Sequence, residues 1–199
     1  MEKSLAPSRF LVRSMRLSHG IKRESQIADA LVNLGLNLLP VSKSDDDERK
    51  IDRWLMYPDG RKIGLQIKYR ETGSDLLFEV HDLFFDWGNP NNKIGRDMIG
   101  QAEQYVVLLS DRKTAVMIPT NFAKNAIDVL VQGAQVRWTV KSERSWNFWH
   151  HCNGVKLELK VQFDPCDHRR KMIAYIPPEY FIREEKAKVF NLVLPKHWK

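Results

Sequence analysis

Apolar residues recur at helical spacing from Ser25 onward: Ile27, Ala28, Leu31, Val32 and Leu34 share one side, and Gly35 is a natural stop. Ahead of them Arg9, Arg13 and Arg16 are interspersed with Phe10, Leu11, Val12, Met15 and Leu17, which predicts a basic arm or a short helix. Residues 42–50, SKSDDDERK, are polar throughout and predict a mobile, solvated loop. The next stretch, KIDRWLMYPDGRKIGLQIKYRE, holds two β-rich runs around Pro58-Asp59-Gly60, the signature of a hairpin. Residues 76–85 predict a third strand, 88–95 a loop and 96–104 a short helix. YVVLLS and TAVMIP predict two more strands joined at Asp111-Arg112-Lys113. Thr120 is placed to cap a helix running through about Val131, with Phe122, Ala123, Ala126, Ile127 and Leu130 along one side. VKLELKVQF alternates as a strand does. A helix, three strands, a short helix, two strands, a helix and a mixed tail together predict a compact α/β fold.

The chain has 199 residues, 43% of them hydrophobic, enough for a core that excludes disorder as the main state. The length suits one domain with an elaboration, or two small ones. No apolar run approaches the roughly 18–20 residues of a membrane span, so no membrane partner is expected. The first 30 residues lack the apolar stretch of a secretory signal, which predicts an intracellular, cytoplasmic chain. Cys152 and Cys166 alone exclude a disulfide framework. The formal net charge of +7 is unevenly spread. Six Lys/Arg face one Glu in residues 1–23, thirteen face seventeen Asp/Glu in 24–132, and thirteen face seven in 133–199. An acidic middle between basic ends suits a protein whose carboxylates hold a cation while its flanks hold phosphates. It equally suits an ordinary acidic core with solvated termini. The same pattern divides the chain into a basic N-terminal arm (1–20), a core (21–132) and a C-terminal extension (133–199). The extension carries Trp138, Trp146, Trp149 and Trp198 and is expected to pack on the core as a DNA-binding or dimerisation element.

The segment richest in chemistry runs from Asp52 to Lys68. If Tyr57 faces Arg61 across the turn, Asp52 comes directly opposite Gln66, and Lys68 projects from the same sheet face two residues on. A different turn would break this alignment unless a bulge restored it. A hard cation such as Mg²⁺ takes oxygen ligands, which Asp52, the Gln66 amide and the Ile67 backbone carbonyl can supply. Lys68 can orient or help deprotonate an attacking water, or stabilise charge developing on a phosphorane. Glu71, Asp75 and Glu79 stand close enough in sequence to supply a further carboxylate. Simpler readings compete: Asp52 as an edge charge paired with Lys50 or Arg70, and Lys68 as a snorkelling lysine in an apolar strand.

Asp52 followed by Gln66-Ile67-Lys68 on the next strand resembles the PD-(D/E)XK nuclease superfamily, with Gln66 where Glu or Asp is usual. Glu24, ahead of the Ile27–Leu34 periodicity, is similar to the acid at the start of the first helix in Holliday-junction-resolvase-like members. Gln101-Ala102-Glu103-Gln104-Tyr105 is similar to the Q-h-x-x-Y motif of the RecB-like branch, which Ile51-Asp52-Arg53 also suits. The resemblance covers about residues 20–132. It implies a restriction-endonuclease-like core of helix, three-strand mixed sheet, helix and further strand. It implies Mg²⁺, with Mn²⁺ able to substitute, held by Glu24, Asp52, Gln66 and the Ile67 carbonyl, and Lys68 as the catalytic lysine. The implied activity is DNA phosphodiester hydrolysis; the alternative is a nuclease-fold DNA-binding protein without catalysis. With one site per chain, double-strand cleavage would favour a homodimer. Arg13, Arg16, Lys22, Arg23, Arg70, Arg169, Arg170 and Lys171 are the expected nucleic-acid contacts.

Other chemistries find less support. Cys152, Cys166, His150, His151 and His168 invite zinc, but the close C-x₂-C pair of a zinc site is missing. No G-x-S-x-G elbow, Walker A loop or G-x-G-x-x-G loop occurs. The extension interleaves aromatics with Arg137, Lys141 and Arg144, which suits nucleic-acid contact as well as core or dimer packing.

Overall fold

The computed structural model describes residues 9–83, 94–97, 101–135, 146–164 and 169–195. The chain begins with helix α1 (Arg9–Asn33), the two-residue strand β1 (Leu38–Leu39) and a short helix α2 (Lys43–Arg49). Strands β2 (Arg53–Met56), β3 (Lys62–Tyr69), β4 (Leu76–Leu83), β5 (Ile94–Asp97), β6 (Gln104–Leu108) and β7 (Thr114–Pro119) follow, then helix α3 (Thr120–Gln135). The rest is β8 (Trp146–Cys152), β9 (Val155–Asp164), β10 (Arg169–Ile176), helix α4 (Pro178–Arg183) and β11 (Lys188–Asn191).

These strands form two sheets. The first has the order β1-β2-β3-β6-β7-β11, with β3 and β6 parallel and its other neighbours antiparallel. The second has the order β5-β4-β10-β9-β8 and is antiparallel throughout. Period-two alternation gives the first sheet two apolar faces. Val106, Leu108, Ala115 and Met117 pack with Leu65, Ile67 and α1 residues Ile27 and Leu31. Tyr105, Val107, Val116 and Ile118 point the other way, into a larger core shared with α3 and the second sheet. Phe78 of β4 meets the Tyr105 ring there at 5.2 Å between centroids. The layers therefore run α1, mixed sheet, then α3 with the second sheet. This is an α/β architecture, and strands from both sides of residue 132 contribute to both sheets.

Several expectations are corrected. Residues 9–20, read as an arm or short helix, are the first turns of a continuous α1, which ends before Gly35 at φ +90°. Glu24 consequently sits within that helix and not at its start. Segment 42–50 is not a loop. Ser42 caps α2 by accepting from the Asp45 N–H, Arg49 pairs with Asp45 one turn away at 3.0 Å, and Lys50 closes the helix in a left-handed conformation. The short helix expected at 96–104 is absent among the described residues: 94–97 is β5, 101–103 is irregular, and Gln104 opens β6. Residues 94–95, read as part of a loop, belong to β5; residues 84–93 lie outside the described set. The third strand forms, but in the second sheet, because the free edge of β3 is taken by parallel β6 while Leu76 and Phe78 complete the core beneath it. α3 begins at Thr120 and runs four residues beyond Val131, to Gln135, but the expected cap is not made: Thr120 Oγ1 is buried and has no hydrogen-bond partner among the described residues.

Gly64 in β3 approaches its neighbours too closely for a side chain. A Cβ there would meet Ile51 Cδ1 at 2.8 Å and Glu103 Oε2 at 2.9 Å, and the same Glu103 oxygen accepts the Gly64 N–H at 2.6 Å. Gly64→Ala is expected to destabilise the fold by about 1–3 kcal/mol through overpacking, measured by chemical denaturation.

Candidate functional site

The β2–β3 hairpin is closed by Tyr57 N–H to Arg61 C=O at 2.8 Å, with Gly60 at φ +81° in the turn. The pairs Met56↔Lys62 through Arg53↔Leu65 follow, which is the register read from the sequence. At its open end the ladder departs from regularity. Asp52 also donates its N–H to the Leu65 carbonyl, at 2.8 Å, so Asp52 and Arg53 both face Leu65 in the manner of a bulge. Asp52 is therefore not squarely opposite Gln66. Its carboxylate instead reaches past, and Oδ2 accepts the Ile67 N–H at 2.5 Å. That bond replaces the edge pairing with Lys50 or Arg70 weighed above.

Gln66 and Lys68 alternate with Leu65 and Ile67, which pack against α1, and so share the opposite face. Gln66 is 4% exposed, and its Oε1 has no hydrogen-bond partner among the described residues. An amide oxygen buried without a partner costs roughly 1–3 kcal/mol, a cost that a bound water or cation would relieve. Lys68 Nζ donates to Glu24 Oε1 at 3.1 Å, across from α1. Arg53 ties the same region together: Nη1 donates to the Asp52 carbonyl at 2.6 Å and Nη2 to Ser25 Oγ at 3.0 Å. Glu24, Asp52 and Lys68 are thus brought together at one end of the hairpin from α1, the start of β2 and the end of β3, with the Lys68 side chain reaching back to α1, while Gln66 stands beside them on β3 with its side chain on the face turned away from α1.

Burial pushes the Glu24 carboxyl above its ordinary range; Lys68 pulls it partly back, while Asp52 and Asp46 push it higher. Asp52, 9% exposed, is raised by the same desolvation, opposed by Lys68 and the Ile67 N–H and reinforced by Asp46. Asp46 belongs to the Asp45–Glu48 run, whose carboxylates could draw cations but whose polarity favours a solvated loop. Its segment was read as solvated loop, yet α2 brings its charge into the field of both carboxylates. The signal was present in Ser42-x-x-Asp45, a helix-capping spacing.

Other candidates are dispersed. Glu71 is 70% exposed and pairs with Arg23 at 2.8 Å, and Arg23 also lies over the Tyr69 ring at 4.8 Å. Arg23 is therefore anchored to the fold, whereas Lys22 is exposed. Arg70 lies over the Tyr175 ring at 5.6 Å. Asp75 acts on Tyr175 and not on the hairpin carboxylates. Gln101 accepts from Arg49 Nε at 3.2 Å, outside any helix, and Tyr105 is a core residue. The side chains of Arg13, Arg16, Glu79, Arg169, Arg170 and Lys171 lie outside the described set, as do residues Arg137, Trp138, Lys141, Arg144, Cys166, His168 and Trp198.

Among the described residues no three carboxylate, imidazole or thiolate side chains converge at ligating spacing. The candidate donors are instead the buried Asp52 carboxylate, the half-buried Glu24 carboxylate, an unpartnered amide oxygen and the Ile67 carbonyl. All four are oxygen donors, and the carboxylates are ones whose negative charge burial disfavours. That set fits a hard divalent cation, which would offset the charge. No protein-family model, no curated protein and no solved structure matches this chain.

A carboxylate raised in the folded state holds its proton more tightly there than in the unfolded chain. Stability therefore falls as pH rises from the ordinary carboxylate range through the raised value. Asp52→Asn keeps an oxygen to accept the Ile67 N–H but removes the charge. Without divalent ions it is expected to be at least as stable as the wild type at neutral pH and to lose less stability between pH 4 and pH 7, measured by denaturation across that range.

Proposed function

We propose that this protein is a Mg²⁺-dependent DNA endonuclease that hydrolyses phosphodiester bonds, built on a variant of the restriction-endonuclease-like core. The observation that carries the reading is Lys68 held by Glu24 beside the buried Asp52, with the unpartnered Gln66 oxygen on the same hairpin. The resemblance of Asp52 and Gln66-Ile67-Lys68 to PD-(D/E)XK nucleases supports the same conclusion, as does the net charge of +7. Among the described residues no helix is long and apolar enough to cross a membrane.

Glu24, Asp52, Gln66 Oε1 and the Ile67 carbonyl would hold the cation, with Mn²⁺ able to substitute. When bound it supplies charge neutralisation at the phosphate and a more acidic water. The residues of the chain do the rest. Asp52 is fixed by the Ile67 N–H, so its second oxygen keeps one direction. Lys68 is held by Glu24, and its ammonium would orient the attacking water or stabilise charge on the non-bridging phosphate oxygens. A bond forms from the water oxygen to phosphorus as the water passes one proton to solvent, one bridging P–O bond breaks, and the departing oxygen takes a proton from solvent. With one such site per chain, cutting both strands would take two copies.

A second reading, a DNA-binding protein without catalysis, is favoured by the amide at Gln66 and the ion pair that engages Lys68. Nicking of supercoiled plasmid by the full chain with Mg²⁺ or Mn²⁺, against EDTA, separates the two. Lys68→Ala is expected to lower cleavage by about 100-fold or more while retaining DNA on a filter, because one ammonium acts on the transition state and adds little to affinity. Unimpaired cleavage by that variant would remove Lys68 from the mechanism. Gln66→Glu is expected to lower the metal concentration for half-maximal nicking, since hard cations prefer carboxylate to amide oxygen. Coincident titration curves would remove Gln66 from the ligand set.

A further inference from the structure

Arg53 stands one residue beyond Asp52 and takes no part in the chemistry proposed above. It pairs with Leu65, whose side chain packs on α1, so its own side chain leaves β2 toward that helix. The guanidinium ends between two elements. Nη1 donates to the Asp52 carbonyl at 2.6 Å, and Nη2 donates to Ser25 Oγ at 3.0 Å. Ser25 is the neighbour of Glu24 on α1. One half-buried side chain therefore bridges the backbone of one proposed cation ligand to the residue beside the other.

The two carboxylates are otherwise held by different means. Asp52 is fixed by the strands: its N–H donates to the Leu65 carbonyl, and its Oδ2 accepts from the Ile67 N–H. Glu24 rides on a helix that meets β3 through apolar contacts, which are non-directional, and its own bond to Lys68 is to a flexible side chain. The bulge at Asp52 and Arg53 takes Asp52 out of the regular ladder, so pairing alone does not aim it at α1. Both acceptors of Arg53 are uncharged oxygens, so its bonds fix direction and neutralise no acid. A guanidinium suits that task because its N–H groups form a rigid planar fork, whereas a lysine ammonium is a point charge on a flexible stem.

Resting on the nuclease reading, we propose that Arg53 is a positioning residue of the cation site: by bridging the Asp52 carbonyl to Ser25, it sets Asp52 and Glu24 at a separation that one divalent ion spans. It touches neither the ion nor the phosphate and acts through the two carboxylates.

The test is a calorimetric titration of the full chain with Mn²⁺ in the absence of DNA, with circular dichroism and melting as the folding check. Residues that orient metal ligands typically contribute roughly 10–100-fold to affinity, so Arg53→Ala is expected to weaken Mn²⁺ binding about tenfold or more. The sign is diagnostic. Removing a positive charge beside a cation site strengthens binding where charge alone acts, so positioning and electrostatics predict opposite changes. Arg53→Lys keeps the charge without the fork and is expected to restore little of the affinity. Ser25→Ala leaves every charge in place and suits a helix. It is expected to weaken binding in the same direction by a smaller factor. Added to Arg53→Ala it is expected to change nothing further, because both substitutions cut one bridge. A folded Arg53→Ala that binds Mn²⁺ as tightly as the wild type, or more tightly, overturns the assignment. Wild-type affinity in Ser25→Ala or full restoration by Arg53→Lys does the same, and each of these outcomes leaves the nuclease reading standing. A wild type that takes up no Mn²⁺ overturns the nuclease reading and the bridge together.

Discussion

Tyr57 and Arg61 meet across Pro58-Asp59-Gly60, and from that one closure the rest of the candidate site follows. Pairing propagates from the turn to Arg53 and Leu65, which decides that Gln66 and Lys68 share a face and that Asp52 arrives beside them. A slip of one residue would have turned Leu65 and Ile67 out of the α1 core and Lys68 into it, an arrangement that apolar burial strongly disfavours. Hydrophobic pattern and chemistry thus enforce the same register. The bulge at Asp52 and Arg53 is the one irregularity, and its consequence is local: the carboxylate takes the N–H of Ile67 at the point where β2 stops.

Around this frame the electrostatics are under tension. Glu24 and Asp52 are both desolvated, both lie in the field of Asp46, and Lys68 is the main countercharge. An ion pair of this kind is weak ground for stability, since desolvation offsets much of the attraction. Asp52 and the Gln66 amide are buried, whereas the Glu24 and Lys68 side chains are partly open to solvent. The framework tolerates this burial because its cost is surrounded by a well-filled two-faced sheet, with α1 on one side and the Phe78, Tyr105 and Phe181 cluster on the other.

The second sheet changes how the core is understood. β4 leaves the hairpin, pairs with β10, and brings residues on either side of 132 into one packed layer. β11 then returns to close the first sheet at β7. The C-terminal third of the chain is therefore structural to the site-bearing sheet, whatever further contacts it makes.

The amino-acid sequence determined by itself what depends on neighbours in the chain. The turn at Gly60, the period-two runs of β3, β6 and β7, the one-sided helix of Ala123, Ile127 and Leu130, and the proximity of Asp52 to Gln66 and Lys68 are all local consequences of spacing. Tertiary structure decided what spacing leaves open. That α1 runs unbroken through Glu24 and lays it against Lys68, 44 residues away, depends on packing against Leu65 and Ile67. That the Asp45–Glu48 run lies in a helix depends on the Ser42 cap, not on its polarity, which reads as loop. That β4 joins β10 was undecidable locally, because an apolar strand fits any sheet edge and only the competition for the edge of β3, won by parallel β6, sends it elsewhere.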